Sequence, residues 1–171
     1  MTTTRARCAT IWRKLLAEDV MSLTDLMAAV RTEVLAAADR DTLLQLAAER
    51  LACRQCGQAE LLASLREREA LCSTALGHGI AIPHGRAPGL ERPRGILIRL
   101  HTPADFGAGE GVDLVFAMAV PSHYTHEHLA LLAELAERFG DAQFRAALRQ
   151  AADPPALLAL LIHPPTQAHA A

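Results

Sequence analysis

The 171-residue chain has little of what would commit it to several common chemistries. Its longest apolar runs, such as Leu114 to Val120, are strand-sized and far from the ~20 residues of a membrane span. The N-terminus carries Arg5, Arg7, Arg13 and Lys14 before the first acid, Glu18, and lacks the continuous apolar core of a secretory signal. It reads as a basic, amphipathic tail. Cysteines number only 4 (Cys8, Cys53, Cys56 and Cys72), and without an export signal a disulfide scaffold is not expected. Cys53-Arg54-Gln55-Cys56 is a CxxC without the second pair that a zinc ribbon needs. It closes a helical pattern, whereas a redox CxxC opens a helix after a strand, so neither role is expected of it. The absence of GxxxxGK[ST] excludes P-loop nucleotide binding. Gly77-x-Gly79 lacks the third glycine and the helix of a dinucleotide fingerprint, and there is no GxSxG. Seventeen basic residues, of which Lys14 alone is lysine, against 19 acidic ones leave a formal charge of −2, with no global claim on nucleic acid or an anionic membrane.

What is present suits a single globular domain. Apolar residues make up 51% and charged residues 21%, which excludes an intrinsically disordered chain. Residues 1–28 show no clean pattern, although Ile11 to Leu16 could begin a short amphipathic helix. Weak alternation over 29–36 predicts a short strand. Asp39 or Asp41 then caps a helix with Leu43, Leu44, Ala47, Ala48 and Leu51 on one stripe. Gly57 breaks it. A second helix runs from Gln58 to about Glu69, with Leu61, Leu62 and Leu65 inward and Arg66, Glu67 and Glu69 in solvent. Ile80-Ala81-Ile82 is strand-like and is expected to end at Pro83 or lie at an edge. Gly95–Leu100 is a strand, Gly107 to Gly111 a turn, and Asp113–Val120 a central strand apolar on both faces. Three helices follow. Thr125 caps the first, with Leu129, Leu132, Ala136 and Phe139 on its stripe and Gly140 at its stop; Asp141 and Asp153-Pro154 begin the others. This mixture predicts an α/β layered domain.

Two histidine neighbourhoods can carry chemistry. In Gly77-His78-Gly79-Ile80-Ala81-Ile82-Pro83-His84-Gly85-Arg86, His84 follows a stiff proline, Gly85 leaves room for a partner, and Arg86 adds a permanent cation. A neutral imidazole is a competent nucleophile near pH 7, and an anionic electrophile such as a phosphoryl group suits these surroundings. From these residues alone, a surface histidine in a glycine-rich turn is the favoured description. In His123-Tyr124-Thr125-His126-Glu127-His128, the first helical turn favours a nearby anion. His123, His126, His128 and Glu127 are also metal-ligand types, but their spacing does not converge on one ion.

The ordered series of segments resembles the EIIA domains of the bacterial phosphoenolpyruvate-dependent phosphotransferase system, fructose/mannitol type, and especially the nitrogen-regulatory EIIA branch (PtsN). The resemblance runs from about Val30 to Leu161. It rests on Arg68-Glu69-Ala70-Leu71-Cys72-Ser73-Thr74 continuing through Gly77 to Arg86, on Thr102-Pro103, on Val112 to Ala117, on Val120-Pro121 and on Glu127-His128-Leu129. It implies a mixed β-sheet covered by helices on both faces. It also implies that His84 accepts a phosphoryl group on Nε2 from an HPr-like carrier, with His128 and Arg68 beside it. Ser73, Thr74, Gly85, Arg86 and His78 are expected around the phosphate. The chain departs from the family where Ala75 and Cys72 replace common glycines and where His78 stands between Gly77 and Gly79.

The resemblance implies a cytoplasmic phosphotransferase that needs no metal or nucleotide, because its donor is already an activated phosphoramidate. The absence of an attached membrane segment favours a regulator whose phosphorylation state is the signal. The alternatives are an EIIA component passing phosphate to a separate sugar-specific EIIB, and a non-phosphorylated partner-binding module. The expected organisation is an extension over 1–28, an EIIA-type domain over 29–163 and a tail over 164–171.

Overall fold

The computed structural model describes residues 22–124 and 126–165. The basic tail, the Ile11–Leu16 segment, Cys8 and the Thr125 cap lie outside the described residues. Ser22 and Asp25 form a reciprocal capping box that starts α1 (Leu23–Ala28), a Ser-x-x-acid signal that the pattern reading passed over. Although these residues precede the boundary read from the sequence, α1 adds Leu26 and Met27 to the core, at 0% and 1% exposure.

Strand β1 (Arg31–Leu35) leads to α2 (Arg40–Leu51), capped by the Asp39 carboxylate, which accepts from Thr42 N–H at 2.7 Å. Asp41, the other candidate cap, instead accepts two bonds from the Arg66 guanidinium and ties α2 to α3 (Gln58–Leu71). The CxxC turn sits between these helices. It closes α2, as expected, but it also directly precedes α3.

In α3 one expectation fails. Glu69 is buried, not solvated, because it shares the inward face with Leu61 and Leu65 at four-residue spacing. Its carboxylate is satisfied there by the Thr74 backbone N–H and hydroxyl, the latter at 2.6 Å.

The chain then builds β2 (Ala75–Gly77), β3 (Ile80–Ala81), β4 (His84–Ala87), β5 (Arg94–Asp105) and β6 (Gly111–Pro121). The sheet order is β1-β5-β6-β3-β2, with β4 also on β6. The β1–β5, β3–β6 and β4–β6 pairs are parallel, and β5–β6 and β2–β3 are antiparallel, so the sheet is mixed. Strand β3 ends at Ala81, ahead of Pro83, as expected from the missing N–H. The Pro83 carbonyl still accepts from Met118 N–H at 2.9 Å, so pairing resumes one residue later and His84 opens β4. His84 therefore lies on the sheet rather than in a free loop.

Strand β6 is buried on both faces, as its uninterrupted apolar run predicted. Val115, Ala117 and Ala119 face α2 and α3, while Leu114, Phe116, Met118 and Val120 face α1 and the last three helices. Those are α4 (His126–Gly140), α5 (Ala142–Gln150) and α6 (Pro154–Ile162), and the Asp141 and Asp153 side chains cap the latter two. The architecture is thus the expected α/β sheet with helices on both faces. The stripe of α4 differs from the expected one. Its buried residues are His128, Leu131, Leu135 and Phe139, while Leu129 is 62% exposed. A leucine-only reading rotates the helix by about one residue, roughly 100°, because it assigns the inward position beside His84 to Leu129 rather than to a histidine. No described helix is long and apolar enough to cross a membrane.

Candidate functional site

Three elements meet at His84. Helix α3 supplies Ser64 and Arg68, four residues apart and therefore on one face. Strand β4 supplies His84, Gly85 and Arg86, and α4 supplies His128 and Leu129. The approach of α3 to β4 demands the glycine: a Cβ on Gly85 would lie 2.9 Å from Ser64 Oγ and 3.3 Å from Leu65 N. Ser64 Oγ accepts from Arg86 N–H at 2.8 Å, which fixes the register of helix against strand. The Arg86 guanidinium donates to the Ser122 and Tyr124 carbonyls at 3.1 and 2.9 Å, which pins the loop leading into α4.

The His84 ring is held from both sides. Nδ1 lies 2.8 Å from the Ile82 carbonyl, which can only accept, so Nδ1 carries the proton and Nε2 the lone pair. Arg68 Nε–H donates to that Nε2 at 3.0 Å, and the same guanidinium reaches the Cys72 carbonyl at 2.8 Å. His128 lies against His84 with ring centroids 5.1 Å apart and the planes tilted by 54°. It is 6% exposed, and its Nδ1 has no partner among the described residues.

Burial, with the Arg68 and Arg86 charges, holds the His84 imidazole below its ordinary value. Burial first, then His84, Arg86 and Arg68, pushes His128 down to about 4. Both rings are neutral at pH 7 and surrounded by two guanidiniums. An open cavity of about 480 Å³ reaches them, rimmed by Leu71, 80% exposed, and Leu129, 62% exposed. The site is therefore a nucleophilic nitrogen in a cationic, partly dry setting with an apolar rim.

Of the residues singled out in the sequence, His84, His128, Arg68, Gly85 and Arg86 come together here. Ser73, Thr74 and His78 do not line this cavity. The Ser73 hydroxyl donates to the Phe106 carbonyl at 2.7 Å, and Thr74 is committed to Glu69. His78 sits in the β2–β3 turn with φ of 56° between two positive-φ glycines, and its carbonyl accepts from Arg149. Ile80 pairs with Leu114 and His84 with Met118, so the extended run separates that turn from His84 by four residues of β6, about 13 Å. His78 is adjacent in sequence because the strand is short, not because it shares the site. His123 meets Tyr124 edge-on rather than joining His128. Sequence reading missed Ser64, Leu71 and Leu129. Ser64 had a legible signal, its four-residue spacing from Arg68.

The family model for the phosphoenolpyruvate-dependent sugar phosphotransferase system, EIIA 2, matches residues 28–163. A nitrogen regulatory protein of Bradyrhizobium diazoefficiens is 37% identical over 154 residues, covering 86% of this chain and 99% of that protein. The crystal structure of nitrogen regulatory protein IIA-Ntr from Neisseria meningitidis superposes with a TM-score of 0.73 at 30% identity, covering 81% of this chain and 98% of that one. The crystal structure of IIA mannitol from Escherichia coli shares the fold, with a TM-score of 0.61 at 23% identity over 75% of this chain and 95% of that one. A matching family model over most of the chain and a relative aligned along nearly its whole length agree: the chain belongs to the EIIA 2 family of the phosphoenolpyruvate-dependent sugar phosphotransferase system.

Proposed function

We propose that this protein is a phosphoryl carrier that accepts a phosphoryl group on His84 Nε2 from an HPr-like phosphocarrier, and that its phosphorylation state regulates partner proteins. The observation that carries this reading is the fixed tautomer of His84. The Ile82 carbonyl holds the proton on Nδ1, which leaves Nε2 as the nucleophile at the cavity. In the transfer the Nε2–P bond forms as the N–P bond of the donor breaks, and the proton stays on Nδ1, hydrogen-bonded to the Ile82 carbonyl. The phosphorylated ring gains positive character, which that carbonyl offsets.

The Arg68 guanidinium, which bonds the free Nε2, turns to the incoming phosphoryl oxygens as the lone pair is consumed. It then offsets a group of close to two negative charges. His128, neutral and against the His84 ring, is placed to donate a hydrogen bond to the same oxygens. Arg86 adds charge while holding the loop before α4. The exposed leucines Leu71 and Leu129 suit docking of a carrier by its own apolar surface. The regulatory part of the reading is supported by the similarity to nitrogen regulatory proteins.

The test is the intact mass of the chain after incubation with phosphoenolpyruvate, Enzyme I and a cognate HPr-like carrier, beside a His84→Ala control. One acid-labile phosphoryl group, absent from the control, is the expected result. No addition with a demonstrably active carrier leaves the partner-binding module as the surviving alternative. Onward transfer to a sugar-specific EIIB in the same mixture would assign the chain to uptake rather than regulation.

A further inference from the structure

The CxxC turn lies apart from the His84 cavity, on the sheet face covered by α2 and α3. Cys53 stands one residue beyond the α2 C-cap, and Cys56 one residue before the α3 N-cap. The two residues exchange both backbone hydrogen bonds. Cys53 N–H donates to the Cys56 carbonyl at 3.0 Å, and Cys56 N–H donates to the Cys53 carbonyl at 3.2 Å. They form an antiparallel bridge closed by Arg54 and Gln55. Such a pair has its Cα atoms about 5.5 Å apart with both side chains on one face. Disulfides span Cα separations of about 4.4–6.8 Å, most often near 5.5–6 Å. The turn is also held without any help from sulfur. The chain at Gly89 presses so closely on it that a Cβ there would lie 2.0 Å from the Gln55 carbonyl oxygen. Linking the two thiols therefore requires little backbone movement.

The thiols are unequal. Cys56 is 2% exposed, and its Sγ donates to Glu60 at 3.5 Å. Burial, then Glu60, pushes this thiol up to about 11. Cys53 is half-buried and lines an open cavity of about 490 Å³ with Arg31, Arg50, Arg92, Arg94 and one acid, Glu91, and Arg50 is already paired with Glu33 and Glu49. Arg94 Nε is buried there without a partner among the described residues. The cavity wall is basic, and an anionic reagent is drawn to it.

We infer that Cys53 and Cys56 are a reversible dithiol–disulfide pair, in which Cys53 attacks an anionic low-molecular-weight disulfide of the glutathione class and Cys56 resolves the adduct. Cys53 loses its proton to solvent and attacks one sulfur of the reagent. The reagent S–S bond breaks, one thiolate leaves, and a mixed disulfide forms on Cys53. Cys56 then loses its proton through Glu60 to solvent and attacks Cys53 Sγ, releasing the second thiolate. Two electrons pass from the cysteines to the reagent, and the two protons released convert its halves to thiols. The same exchange runs backwards in excess thiol. Because the turn directly precedes α3, the pair sits at the head of the helix that carries Ser64 and Arg68.

The full chain is equilibrated in buffers from reduced glutathione to glutathione disulfide, acid-quenched, alkylated, and read by intact mass and peptide mapping. The expected result is a Cys53–Cys56 linked peptide that becomes the major form as the disulfide share rises. Cys56→Ser should accumulate a glutathione adduct on Cys53, while Cys53→Ser should give no adduct on Cys56. Glutathione disulfide should react about tenfold faster than the neutral hydroxyethyl disulfide at low salt, an advantage lost in Arg94→Gln. Both cysteines alkylated throughout the series in the folded chain, when the urea-unfolded chain does form the bond, would overturn the pairing. An adduct on Cys56, or equal rates for the two reagents, would overturn the assigned roles.

Discussion

Acidification should expose the two neutral histidines of the site as a stability liability, and His128 carries the larger share. In the folded chain burial pushes it from an ordinary 6.5 down to about 4. The unfolded chain therefore takes up this proton first, and the unfolded state is favoured as pH falls through the window between those values. Stability is fully present above the ordinary value and lost on the way down. The linkage relation gives a loss of ~2 kcal/mol between pH 7 and pH 5, rising to ~3 kcal/mol by pH 4. His84 is displaced in the same direction and adds to the slope.

The perturbation is His128→Gln, which keeps a polar side chain and removes the titration. The assay is urea unfolding of both chains at pH 7, 6 and 5, with m-values compared to confirm two-state behaviour. The wild-type chain should lose ~2 kcal/mol more than the variant between pH 7 and pH 5. Parallel pH profiles would refute the claim that His128 is buried in its neutral form, and with it the picture of a dry imidazole pair.

Arg68→Gln removes a charged donor that touches His84, so phosphoryl acceptance should slow by about 10- to 100-fold, the equivalent of about 1.4–2.7 kcal/mol, with the folding midpoint nearly unchanged. Single-turnover mass spectrometry beside urea unfolding separates the two effects. Gly85→Ala drives a methyl against Ser64 Oγ and should destabilise by about 1–3 kcal/mol. Adding Ser64→Ala should recover part of that loss, because the two changes share one contact. Glu69→Ala leaves the buried Thr74 N–H and hydroxyl without their acceptor and should lower stability by about 3 kcal/mol in the same assay. Leu129→Glu should raise the carrier concentration needed for half-maximal transfer without altering the unfolding midpoint, since Leu129 is exposed at the rim.

Much of this molecule is legible in its sequence. Helix caps at Asp39, Asp141 and Asp153 are short-range signals, and the run from Asp113 to Val120 announced a strand covered on both faces. The elements that misled share one cause, a polar residue occupying an inward position. Glu69 follows the Leu61–Leu65 spacing, and His128 holds the face of α4 that leucine spacing assigned to Leu129. A pattern of hydrophobicity cannot reveal a buried carboxylate whose acceptor needs are met by Thr74, or a buried imidazole packed on another imidazole. Pro83 does break the strand, and what its identity does not register is that its carbonyl still accepts from Met118 N–H, so that His84 opens a second strand on β6.

By itself the sequence determined the α/β class and the family, and it singled out His84, His128 and Arg68 as candidates, because each follows from local propensity or from an ordered series of short segments. The tertiary structure decided which of the candidates meet. Ser73, Thr74 and His78 lie within eleven residues of His84 yet stay outside its cavity, while His128 arrives from the far side of the sheet's central strand. An extended run carries neighbours in sequence away from one another, and only packing of α3 and α4 around β4 brings distant residues together. It also sets the tautomer of His84, through a carbonyl two residues upstream, and the pairing of Cys53 with Cys56 across a turn. Both depend on hydrogen-bond geometry that residue identity alone does not specify.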